Sequence, residues 1–80
     1  MILGVVGLGL IGGSFAKAYK EAGHTVYAYD IDKTILGYAR LDGTVSKELD
    51  FDNIKDCDLI LITTYIKAAA EYLKEAAPHI

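Results

Sequence analysis

A doubly wound α/β fold with a mostly parallel sheet is what these 80 residues predict, on three observations. Short β-branched runs alternate with helical segments of about ten residues, the pattern of βαβ units. The first run leads straight into a glycine-rich loop, GLGLIGGS over residues 7–14, and that loop opens a helix. Hydrophobic residues make up 52% of the chain, with six Tyr and two Phe, which excludes a disordered polypeptide. At this length the chain is at most one small domain, burying only about 60% of its unfolded surface. Right-handed crossovers leave few topologies. About four strands in spatial order 3-2-1-4 are expected.

Each element has its own signal. Ile2 to Val6 is an uninterrupted apolar run, as a strand covered on both faces requires. From Ile11 the period changes, with Ile11, Phe15, Ala18 and Ala22 at helical spacing and Lys17, Lys20 and Glu21 facing away. Gly23 stands where a C-terminal cap belongs. Thr25 to Tyr29 reads as the second strand, ending at Asp30, and Asp32 caps a helix that runs to about Leu41 and ends at Gly43. Thr44 to Ser46 is expected as a short third strand and Asp52 to Lys55 as one helical turn. Leu59 to Thr63 is the clearest central strand. In the last helix Ile66, Ala70, Leu73 and Ala77 share a face, with Lys67, Glu71 and Lys74 opposite, and Pro78 stops it.

Bulk properties remove several function classes. The net charge is -3 and no run of Lys or Arg exists, which argues against nucleic acid or anionic lipid as a partner. The longest apolar stretch, Ile2 to Ala16, is broken by glycines and lacks both a basic leader and the length of a membrane span. A sole cysteine, Cys57, rules out an intramolecular disulfide and fits a reducing cytoplasm. The two histidines are far apart and have no cysteine at ligand spacing, so no metal site is expected. An open edge on the strand from Leu59 makes residues 1–80 read as the front part of something longer.

Chemistry concentrates in the loop Gly7, Leu8, Gly9, Leu10, Ile11 and Gly12. Its Gly-x-Gly-x-x-Gly spacing, between a strand and a helix, is the dinucleotide fingerprint of Rossmann-type domains. Gly7 permits the tight turn, Gly9 lets a pyrophosphate come against the backbone at a helix N-terminus, and Gly12 lets the helix pack on the sheet. Asp30 ends the second strand 18 residues past Gly12, where a carboxylate accepts both ribose hydroxyls of the adenosine half. A 2′-phosphate there would be repelled, so NAD is favoured over NADP. Two other readings compete. A purely structural glycine turn is one; a phosphate-binding P-loop is the other, but that motif needs lysine where the chain has Gly13.

Thr63, Thr64 and the backbone of Tyr65 follow the strand from Leu59, at the sheet end where ligands of open parallel sheets lie. They are candidates for contact with ribose or nicotinamide, against the alternative of a threonine cap for the last helix. Lys33 reads as an ordinary helix-face residue unless it reaches the adenosine ribose. Asp56 and Asp58 are expected to face solvent at the opposite end, His24 and His79 to lie on the surface, and Cys57 to be packing. No nucleophile triad or acid–base pair is present, so no catalytic residue is assigned.

VVGLGLIGGS, then AGH-x-V-x-x-YD-x-D and later DCDLILITT, resemble the N-terminal domain of the prephenate dehydrogenase family, arogenate-using relatives included. The likeness runs over nearly the whole chain, and Gly12-Gly13-Ser14 is more particular to that family than the bare fingerprint; related dehydrogenases of the 6-phosphogluconate type share the glycines and the aspartate, though usually not Ile11-Gly12-Gly13-Ser14. It implies NAD(P)-dependent oxidative decarboxylation of prephenate to 4-hydroxyphenylpyruvate, on the way to tyrosine. It further implies that Gly7, Gly9 and Gly12 hold the pyrophosphate and that Asp30 holds the ribose. Thr63-Thr64 stand where the family usually has Thr-Pro. The family's catalytic histidine, substrate-binding arginine and helical dimerisation domain correspond to positions beyond Ile80. These 80 residues alone are therefore expected to be inactive, and the small-molecule substrate and homodimer belong to the longer protein. Other readings are an NAD-dependent dehydrogenase of the 6-phosphogluconate or 3-hydroxy-acid type, and a nucleotide-sensing domain without catalysis.

Overall fold

The first strand is the middle of the sheet. In the computed structural model, which describes residues 1–64 and 66–80 apart from the side chains of 66 and 67, β1 (Ile2–Val6) is flanked by two later strands. On one side lies β2 (Thr25–Tyr29), in register Ile2 to Thr25 and Val6 to Tyr29. On the other lies β4 (Leu59–Ile62), in register Leu3 to Leu59. β3 (Lys47–Glu48) extends the sheet beyond β2, giving the order β3-β2-β1-β4 with every pairing parallel. This is the expected order, and the chain is a partial Rossmann-type domain.

The side-chain alternation of β1 divides the core into two layers. Leu3 and Val5 pack with Val26, Ala28, Leu36 and Val45 under α1 (Leu10–Glu21) and α2 (Lys33–Leu41). Val6 turns to the other face with Tyr27, Leu49, Ile54 and Ala76, covered by α3 (Ile66–Ala76). Gly4 faces this second layer too; a Cβ there would stand 3.0 Å from Cys57 Sγ and 3.5 Å from Leu49. Each fully buried Leu, Ile or Val contributes about 1.5–3 kcal/mol, so both faces are needed to hold so small a sheet.

Both outer helices present a different face from the one periodicity suggests. α1 buries Gly12 and Ala16 and half-buries Tyr19, while Ile11 and Phe15 are 64% and 46% exposed and Ala18 and Ala22 are exposed as well. The glycine loop sets this phase: once Gly12 must meet the strand ends, positions 16 and 19 follow on the same side. α3 likewise turns Ala69, Tyr72 and Ala76 inward, leaving Ala70, Leu73 and Ala77 exposed. In α1 the small side chains of Gly12 and Ala16 sit nearest the sheet, so apolar bulk pointed to the wrong stripe.

The third strand also differs. Residues 44–46 form a connection, with Thr44 and Val45 buried, and pairing with β2 begins at Lys47. Ser46 N donates to Val26 O and Leu49 N to Ala28 O, so the segment needs only its backbone to join the edge. The expected turn at Asp52 to Lys55 becomes a 3-10 turn at Ile54–Asp56, nucleated by Asp50 Oδ1 accepting from Asp52 N and Asn53 N. Asp32 caps α2 as expected, accepting from Thr34 N at 2.9 Å. Gly23 and Gly43 take positive φ beyond α1 and α2. Beyond α3, Pro78 lies within a second 3-10 turn, Ala77–His79. Asp58 remains exposed yet pins the start of β1, its Oδ2 accepting from Ile2 N at 2.7 Å. Among the described residues no helix is long and apolar enough to cross a membrane.

Candidate functional site

Three parallel strands end side by side at the glycine loop, and hydrogen bonds tie each end to it. Gly7, at φ +95°, makes the turn out of β1 and donates its N–H to Tyr29 O at the end of β2. Leu8 N donates to Asp30 Oδ2 at 2.7 Å while its side chain is buried in the core. From β4, Thr63 N donates to Val6 O, and Thr63 Oγ1 donates to Gly7 O at 2.6 Å. A Cβ on Gly12 would overlap the Gly7 carbonyl oxygen and crowd Thr63 Oγ1. Gly12 is therefore required by the close seating of α1 on the strand ends.

Gly9 is different. Its φ of -64° suits any residue, and among the described residues no atom beyond its own chain neighbours lies within 4 Å of where its Cβ would be. Neither strain nor crowding among the described residues calls for glycine there, and the open space admits close approach by a ligand. Gly9 is also the N-cap of α1 and offers no side-chain acceptor, and no acidic residue stands in the first turn. Those N–H groups are left for an anion. Ser14 does not serve them, since its Oγ bonds back to Leu10 O. The loop thus fits the pyrophosphate of a dinucleotide.

Above the loop lies a cleft of about 720 Å³, lined by Gly7, Gly9, Leu10, Ile11, Asp30, Thr63 and Thr64. The structure brings these expected positions together; Leu8 and Gly12 are not among the lining residues, and Tyr65 lies outside the described residues. Asp30 Oδ1 accepts from Asp32 N at 2.8 Å, so each carboxylate oxygen is oriented by one backbone N–H. Each retains a further lone pair for a hydroxyl donor. Thr63 spends its proton on Gly7, leaving its oxygen as an acceptor.

Sequence reasoning missed the far wall. Glu71, Tyr72 and Glu75 of α3 line the cleft, and no Lys or Arg does so among the described residues. Their signal was the 72–76 spacing, hidden behind the more apolar stripe through Leu73. Lys33 sits at the first position of α2, with Nζ 2.6 Å from Glu48 Oε1 and 5.2 Å from the Tyr29 ring centroid. The hydrogen bond to Glu48 raises the Lys33 ammonium above its ordinary pKa. Cys57 lies at the other end of the sheet, half-buried, its thiol pushed up by burial and then by Asp56 and Asp58.

Comparison with known proteins agrees with this geometry. The family model described as the NAD binding domain of 6-phosphogluconate dehydrogenase matches residues 2–78. The chain also superposes on the crystal structure of Synechocystis arogenate dehydrogenase with a TM-score of 0.89 and 29% identity. That match covers 99% of this chain and 29% of the other, so the chain spans under a third of that enzyme's length. A glycine loop fitted to a pyrophosphate, a strand-end carboxylate and a match over almost every residue have one consequence: the chain belongs to the NAD-binding domain family of 6-phosphogluconate dehydrogenase.

Proposed function

We propose that this chain is the NAD-holding part of a dehydrogenase that oxidatively decarboxylates prephenate to 4-hydroxyphenylpyruvate. The observation that carries the reading is the likeness to an arogenate dehydrogenase over 99% of the chain, together with the Gly12-Gly13-Ser14 signature. Prephenate and arogenate differ by a keto group against an amine, and no residue of this segment addresses that difference. NAD, when bound, supplies the hydride acceptor. The chain's own part is to bind and orient: Gly7, Gly9 and the first turn of α1 for the pyrophosphate, Asp30 for the adenosine ribose, Thr63 and Thr64 toward the other half. The groups acting on substrate belong, in this reading, to polypeptide beyond residue 80.

NAD is preferred to NADP because a 2′-phosphate would meet Asp30 in a cleft that also holds Glu71 and Glu75. Calorimetric titration with both cofactors tests this, with Asp30→Ala expected to erode the preference; equal or tighter binding of NADP by the unaltered protein refutes it. For the reaction, absorbance at 340 nm is followed with prephenate and with arogenate in the full-length protein. NADH formed together with carbon dioxide supports the reading. A second reading follows from the family model, which is described by 6-phosphogluconate dehydrogenase. Turnover of a phosphosugar acid or a 3-hydroxy acid, with none of prephenate or arogenate, would favour it.

A further inference from the structure

We propose that Glu48 is a determinant of cofactor choice because it engages the Lys33 ammonium, which a phosphate on the ribose beside Asp30 would otherwise recruit. The inference rests on the reading of Asp30 as the ribose carboxylate. Lys33 follows Asp30 by three residues, and the backbone between them is tied to that carboxylate through Asp32 N. A lysine so placed is the natural partner for a phosphate on the adenosine ribose, since basic groups near this acid are what accommodate NADP. Its ammonium instead sits over the ring of Tyr29, a residue that lines the cleft, 5.2 Å from the centroid, and ends on Glu48 at 2.6 Å. Glu48 belongs to β3, whose pairing with β2 at Ala28 fixes it beside the end of that strand.

The result is a local charge balance. With Lys33 committed to Glu48, a 2′-phosphate would meet the Asp30 carboxylate with no free cation among the described lining residues. The ion pair is exposed, with side chains 67% and 42% accessible, so it holds Lys33 weakly and little is lost structurally by breaking it. A dianionic phosphate competes for the same ammonium, and the outcome depends on Glu48 carrying charge. NAD has a hydroxyl at that place and is indifferent to the pair.

Calorimetric titration of Glu48→Gln with NAD and NADP tests this. Release of an exposed pair should tighten NADP about three- to fivefold and leave NAD unchanged. In a Lys33→Ala background the same Glu48→Gln change should alter NADP affinity by less than about twofold, as coupled residues require. A gain of equal size with and without Lys33 overturns the proposal, since Glu48 would then act only by its own repulsion; so does no gain at all. Asp30→Ala, titrated alongside, separates the two readings. If it shifts the cofactor ratio and Glu48→Gln does not, the ion pair falls; if Glu48→Gln shifts the ratio and Asp30→Ala does not, the assignment of Asp30 falls.

Discussion

Gly9 and Gly12 look equivalent in the fingerprint, yet alanine at each should fail in a different way. At Gly12 the new methyl group meets the Gly7 carbonyl oxygen, which is backbone, and Thr63 Oγ1, which is hydrogen-bonded. Neither can step aside, so the start of α1 must lift off the strand ends. Overpacking of this kind costs about 1–3 kcal/mol, and losing the Thr63–Gly7 hydrogen bond about 1 more. Against a total stability of about 4–12 kcal/mol for a domain this size, that is a large fraction. Melting should fall by roughly 10–25 °C. At Gly9 the methyl group enters open space with φ at -64°. Alanine is a poorer N-cap than glycine by about 0.5 kcal/mol, but it also restricts the unfolded chain by a similar amount, so stability should barely move. NAD binding should weaken about ten- to hundredfold, the worth of one or two hydrogen bonds to a charged pyrophosphate. Urea melts and NAD calorimetry on both variants decide the matter. Unchanged NAD affinity in Gly9→Ala, or unchanged stability in Gly12→Ala, refutes the reasoning.

Thr63→Val keeps the shape but deletes the hydroxyl that holds Gly7 O, and should cost about 1 kcal/mol and lower the melting temperature by roughly 4–8 °C. Thr63→Ser should recover most of that loss; equal melting of all three proteins would show the bond to be idle. At Cys57 a raised thiol pKa means less thiolate at any given pH. Iodoacetamide should therefore react more slowly with the folded protein than with a cysteine peptide at neutral pH, with the onset displaced upward, and urea should abolish the difference. Equal rates in the folded state would contradict the burial of this thiol.

The topology was legible because each strand announces itself locally: Ile2–Val6, Thr25–Tyr29 and Leu59–Ile62 are apolar, β-branched and bounded by turn chemistry. The glycine loop and Asp30 were legible for a related reason, since backbone freedom and a strand-end acid are properties of single positions. Helix phase was not. Ile11 and Phe15 outweigh Gly12 and Ala16 in any hydrophobic pattern, but the contact with the sheet selects residues that permit close approach, and bulk is left outside. β3 was expected but placed too early, because Lys47 and Glu48 join the sheet through backbone bonds, which side-chain patterns do not record. The Lys33–Glu48 pair escaped, because it joins two elements only after the sheet has formed.

Placing the earliest strand at the centre of the sheet has a consequence for synthesis on the ribosome. β1 pairs with β2 after about twenty further residues, but its other edge waits for Leu59, 56 positions after its partner Leu3. At a translation rate of about 5–20 residues per second, that edge stays open for roughly 3–11 s. The apolar strand can be bonded on one side only during this time, and the lid over its second face, α3, comes later still. Nascent chains should be most open to chaperones, and to pairing with one another, in this interval.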